Sequence, residues 1–126
     1  MRESKAYAFN KQDEKAIHLF AELGMPRNLA KTLMYISQVE ECRSAEIERG
    51  ADLRQPEVSV AMQELQKKGW ITRRDIKKKG KGRPVHIYKL TAALDNIIKT
   101  FEKEKIEEIN TVKKDISELK ELVESR

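Results

Sequence analysis

The hydrophobic period of this chain switches at one place, and the switch limits the fold more than any other feature. From Pro56 to Lys68 apolar residues fall at Val58, Ala61, Met62 and Leu65, the i, i+3, i+4, i+7 spacing of one helix face. Beyond Gly69 the period drops to two, and Trp70–Ile76 and Val85–Leu90 alternate as two strands. Upstream, the spacing predicts a short helix with Ser44 as N-cap, Ile47 pointing inward and Gly50 at its end. Residues 51–54 then form a turn, and Pro56 suits the first turn of the next helix. A short helix, a tight turn, a second helix and a hairpin make a helix-turn-helix followed by a wing.

Helical patterns flank this block. Lys11–Leu23 places Ala16, Ile17, Phe20, Ala21 and Leu23 between polar residues, and Gly24 closes the segment. After Pro26 a denser set follows (Leu29, Ala30, Leu33, Met34, Ile36, Val39), which predicts a buried central helix. From Ala92 to Val123 the pattern is helical with no proline or glycine. Its seam runs Leu94, Ile97, Ile98 and Phe101, then Ile109, Val112, Ile116, Leu119 and Val123. The second group has the alternating 3-4 spacing of coiled-coil a and d positions, and the register slips by a four-residue stutter before it. So long a helix cannot bury its whole seam against the preceding domain. A second copy is the economical partner; folding back as an intramolecular helix pair is the other reading. The expected fold is mainly α with a small β-hairpin: residues 1–91 a winged helix-turn-helix DNA-binding domain, residues 92–126 a dimerisation helix.

Charge adds a second constraint. The net charge is +5, but residues 67–90 carry 10 basic and 1 acidic side chain, while the segments on either side are near neutral or slightly acidic. Five cations and two glycines lie within residues 77–84, between the strands. A basic strip on a near-neutral body points to a polyanion, nucleic acid first. A membrane surface fits poorly, because no amphipathic helix with aromatic anchors adjoins the lysines.

Other classes are disfavoured by what the residues lack. Cys42 is the only cysteine, which excludes an intrachain disulfide and fits a reducing cytoplasm. No apolar run reaches the ~20 residues of a membrane span. Gly80-Lys81-Gly82 is too short for a phosphate-binding loop and lacks the Lys-Ser/Thr that follows one. The sequence therefore predicts no enzyme, with no catalytic, cofactor-binding or metal residues, and it names no small-molecule effector.

The stretch EIERGADLRQPEVSVAMQELQKKGWITRR, residues 46–74, carries a family resemblance. Its Leu-x-Gln-Pro-x-Val-Ser, then a Leu and Lys-Lys-Gly before the first wing strand, resembles the winged helix-turn-helix transcription regulators. The archaeal TrmB-like and ArsR/MarR-like groups are the most similar, over about residues 28–91. The resemblance implies transcriptional control through promoter binding. Members of these groups often place Ser or Thr before the Gln-Pro as a helix cap; here Arg54 stands there, and a guanidinium accepts no backbone N–H. Arg54 is then left to meet a phosphate.

The candidate interface follows from the helix pattern. Burying Val58, Ala61, Met62 and Leu65 leaves Gln55, Glu57, Ser59, Val60, Gln63 and Lys67 on the outward arc, with Arg54 and Pro56 at its start. Glutamine can pair bidentately with adenine, serine can donate to a base or phosphate, and Val60 can touch a thymine methyl. Glu57 either accepts from cytosine or repels wrong registers. The wing supplies Arg73, Arg74, Lys77, Lys78, Lys79, Lys81 and Arg83 for phosphates, although Arg73 and Arg74 alternate across a strand, so at most one faces DNA. Two protomers would read a roughly palindromic double-stranded site with half-sites ~34 Å apart. The contrasting reading is a winged-helix module whose C-terminal helix docks a partner in transcription or replication machinery. Bland roles are expected for His18 (structural), His86 (solvent side of a strand), Trp70 (core) and Cys42, which lacks the positive neighbours that activate a thiol.

Overall fold

A computed structural model describes residues 9–77 and 84–126. The elements are α1 (Lys11–Glu22), α2 (Arg27–Ser37), α3 (Ser44–Ala51), α4 (Gln55–Lys67), β1 (Ile71–Ile76), β2 (Val85–Leu90) and α5 (Leu94–Glu124). They divide into two compact units, Met1–Ala93 and Leu94–Arg126.

In the first unit α2 is the central rod. Leu29, Ala30, Thr32, Leu33, Met34 and Ile36 are all buried, and α2 packs on α1, α3, α4 and β2. Thr32 is the one buried polar side chain among the described residues; its hydroxyl donates to the Asn28 carbonyl at 2.9 Å, so no donor is stranded. Helix α1 begins with a reciprocal cap. The Asn10 side chain accepts from the Asp13 N–H at 2.8 Å, and Asp13 accepts from the Asn10 N–H at 3.1 Å.

Helix α3 departs from the sequence expectation at both ends. Ser44 is its first helical residue, not its cap; Arg43 holds the cap position, and Glu46 accepts the Arg43 N–H at 2.7 Å. A glutamate three residues in can close a helix start whatever side chain occupies the cap. Gly50 does not end α3 either. It lies inside the helix, and the left-handed residue that terminates the helix is Asp52, at φ 57°. Gly50 is small because α2 is close: a β-carbon there would overlap Cδ1, Cε1 and Cζ of Tyr35. Gly50→Ala is therefore expected to cost about 1–3 kcal/mol by overpacking. In a Tyr35→Ala background the same change should turn stabilising by up to about 1 kcal/mol, since alanine is the better helix former. Denaturant melts of the four proteins in this cycle measure the reversal; a Gly50→Ala protein as stable as the parent would mean the ring yields freely.

Val58, Ala61, Met62 and Leu65 of α4 are buried as the spacing required. Gly69 takes φ 78° after the helix, and Trp70 enters the core. The hairpin is antiparallel, in register from Ile71↔Leu90 to Ile76↔Val85. One further bridge ties it to the body. Cys42 and Tyr88 exchange both backbone hydrogen bonds, at 3.0 and 2.8 Å, so the loop before α3 borders β2 as a one-residue third strand.

The second unit is α5, 31 uninterrupted helical residues, about 46 Å at 1.5 Å per residue. Ile97 and Phe101 are buried, whereas Ile98, Ile109, Val112, Ile116, Leu119 and Val123 are exposed, as is Ile106. Leu94 is half-buried.

A candidate nucleic-acid interface

Helix α4 reads as two flanks. On one, Gln55, Ser59, Gln63 and Gln66 fall at successive turns and line a polar concavity. Its other walls are Ser44 and Glu48 of α3, Arg73 of β1 and Tyr88 of β2, over a floor of Val58 and Met62. The glutamine-serine stripe and the base of the wing thus open onto the same hollow. On the opposite flank, Pro56, Val60, Ala61 and Glu64 border an apolar hollow closed by Pro26 and Leu29. Val60 is 61% exposed there, an aliphatic side chain left out of the core. Gln66 escaped the sequence-based set, although it continues the stripe at i+11 from Gln55 and its spacing alone could have found it.

The start of α4 resolves the question posed by Arg54. Arg54 holds the cap position without a side-chain cap; instead Glu57 accepts the Arg54 N–H at 2.8 Å and its other oxygen lies 3.5 Å from the Arg54 guanidinium. That backbone hydrogen bond, then the Arg54 and Lys31 charges, hold the Glu57 carboxyl below its ordinary range against some desolvation. Both oxygens are engaged, so Glu57 serves the helix start. Arg54 points its charge outward, and Lys67 is exposed at the far end of the helix.

On the wing, the neighbouring arginines have separate fates. Arg74 is clamped by Glu41, its Nη2 donating to both carboxylate oxygens at 2.8 and 2.9 Å. This fork ties β1 to the loop before α3, 33 residues away in sequence. Arg73, on the other face, turns toward the α4 concavity. Its Nε lies 3.5 Å from Oδ1 of Asp75, the same oxygen that meets His86 Nδ1 at 2.6 Å. Asp75 thus competes with any outside anion for Arg73. Asp75→Asn should raise affinity for arbitrary duplex by about two- to fivefold, the worth of an exposed ion pair; fluorescence anisotropy at low salt reads this, and unchanged affinity would remove Arg73 from the contact. Lys77 is exposed. Lys78, Lys79, Lys81 and Arg83 lie outside the described residues.

Cys42 is buried, and burial first, then the Glu46 charge, pushes its thiol up to about 12. It stays protonated at neutral pH, the opposite of a reactive thiolate. Trp70 is in the core, and the Lys68 ammonium lies 4.9 Å from its ring centroid. His18 is exposed, 3.6 Å from Glu22. Among the described residues no cluster of His, Cys, Asp and Glu is placed to hold a metal ion, and no helix is long and apolar enough to cross a membrane.

A helix-turn-helix whose second helix shares an open face with a β-hairpin is a winged helix-turn-helix domain. The model described as the MarR family matches residues 23–82, a little under half of the chain. Solved structures agree on the fold. A possible transcriptional regulator from Methanosarcina mazei Go1 is similar with a TM-score of 0.63 at 14% identity, covering 83% of this chain and 87% of that one. TrmBL2, an archaeal chromatin protein described as showing a novel mode of DNA binding, gives 0.54 at 20% identity over 88% of this chain and 42% of its own. MepR, a transcription regulator of the Staphylococcus aureus multidrug efflux pump MepA, gives 0.50 at 18% identity, over 81% and 73%. No curated protein matches the sequence.

Proposed function

We propose that this protein is a cytoplasmic transcription regulator that binds double-stranded DNA in a sequence-specific manner, as a homodimer on a roughly palindromic operator. Residues 1–91 are the DNA-binding domain and residues 92–126 the dimerisation helix. Helix α4 enters the major groove: Gln55, Ser59, Gln63 and Gln66 read bases on the wing side, and Val60 meets a thymine methyl on the other. Arg54, Lys67, Arg73 and the cations of residues 77–83 engage phosphates, while Arg74 braces the wing through Glu41. One observation carries the reading: the uncharged stripe of α4 and Arg73 of the wing face a common hollow, so a single duplex can meet both.

Selection of bound duplexes from a random pool at fixed salt tests it. Gln55→Ala and Gln63→Ala should change the recovered motif, each relaxing one position by about 1–3 kcal/mol of discrimination. A motif indifferent to both changes would sink the recognition-helix assignment. The exposed stripe of α5 also suits a module that docks another protein. Light scattering separates the two readings, because a docking module awaiting a foreign helix runs as a monomer.

A further inference from the structure

The distal half of α5 carries more than an apolar stripe. Ile109, Val112, Ile116, Leu119 and Val123 are each between 49% and 59% exposed on a helix with no break. With Ile109 at position a, their spacing puts Ile109, Ile116 and Val123 at a and Val112 and Leu119 at d. β-Branched residues at a with leucine at d favour two strands over three or four; the a positions all meet this, and Leu119 meets it at d. The same frame puts Glu108 and Asp115 at g and Lys113 and Lys120 at e.

The flanking charges choose the orientation. In a parallel in-register pair, each g residue faces the e residue five positions later on the other helix. Glu108 then meets Lys113 of the second copy, and Asp115 meets Lys120 of the second copy. All such contacts are attractive, and the two-fold axis repeats them. In an antiparallel pair e faces e and g faces g, which sets lysine against lysine and carboxylate against carboxylate. Glu108 already accepts from Lys105 of its own helix at 3.0 Å, with both side chains partly or largely exposed, so a second oxygen remains for the facing lysine. On the N-terminal side the same frame brings Glu102 to a and Lys105 to d. In this heptad frame the distal seam therefore begins near Ile106.

We infer that residues 106–124 form a parallel, in-register two-stranded coiled coil with the same residues of a second copy. This rests on the homodimer proposed above and fixes its orientation, which that reading leaves open.

Disulfide trapping under mild oxidation tests it, with light scattering on the same samples. The native Cys42 is buried and provides the uncrosslinked background. Val123→Cys should link to itself, giving a disulfide dimer as the main species. The antiparallel registers with the longest overlap instead bring position 123 against 112 and position 119 against 109. Mixtures of Val123→Cys with Val112→Cys, and of Leu119→Cys with Ile109→Cys, are therefore oxidised and the linked peptides identified by mass spectrometry. Linkage of like positions supports the parallel pair. Linkage of unlike positions overturns the orientation and leaves the dimer standing. A dimer by light scattering with no linkage at any position places the interface elsewhere and overturns the inference alone. A monomer removes the homodimer together with it.

Discussion

Replacing Ile116 by aspartate is expected to leave the winged unit folded, make the proposed dimer monomeric and lower its affinity for a two-half-site operator by about 10²–10⁴-fold. Ile116 stands at the middle of the distal stripe and is 49% exposed in the single chain, so a carboxylate there breaks nothing inside that chain. In a dimer it would be buried in the seam, opposite its own copy in a parallel pair and opposite Val112 or Leu119 in an antiparallel one. Two like charges would then be desolvated with no partner, a cost no surrounding exposed ion pair offsets. The loss in DNA affinity is a loss of linkage. When two reading helices are joined, the second engages at the high effective concentration set by the first. A monomer pays full association entropy for each half-site. Affinity for a duplex with one half-site should thus be the same for Ile116→Asp and parent, and the deficit should appear only on the paired site. Titration of both duplexes, with light scattering, separates this outcome from simple misfolding. The prediction holds for either orientation of the helices, since position 116 is central in both. A dimer that persists would move the subunit contact away from the distal stripe.

What could be read from the chain beforehand was whatever depends on local periodicity. The change of period at Gly69 located α4 and both strands, because an apolar set serves one face only at the period it was laid down in. The uninterrupted run beyond Ala92 gave α5 for the same reason. The errors cluster where a residue's role is set by a neighbour remote in sequence or by an equivalent local solution. Gly50 satisfies the rule for a helix end, yet its smallness answers Tyr35, fifteen positions earlier. Ser44 satisfies the rule for a cap, yet Glu46 closes α3 from the inside. Arg54 offers no acceptor with which to cap α4, and Glu57 makes the missing bond. The alternation of Arg73 and Arg74 was plain from the strand, but which one faces α4 depends on Glu41 capturing the other. Periodicity says that two residues point apart; only the tertiary partners say where each points.

Changing Lys77, Lys79 and Lys81 together to alanine should flatten the salt dependence of binding while leaving the preferred sequence intact. The expected effect is electrostatic and follows from where the positive charge is concentrated. Residues 67–90 hold 10 cations, and of these Arg74 is committed to Glu41 and Arg73 shared with Asp75. The glutamine stripe of α4 carries no charge of its own, so it can discriminate among bases but contributes little to holding a polyanion. On the proposed reading the lysines supply that grip. Each phosphate neutralised releases condensed counterions and adds about −0.9 to the slope of log affinity against log salt. Three lysines in each of two protomers make the expected change in slope about 5, a loss of several orders of magnitude at low salt that shrinks as salt rises. Gln63→Ala should do the reverse, altering sequence preference with no change of slope. Measured on one duplex across a salt series, the two variants thus separate grip from reading. A triple-lysine protein with the parental slope would mean that these lysines take no part in holding DNA, and that the counter-charge comes from Arg54, Lys67 and Arg73.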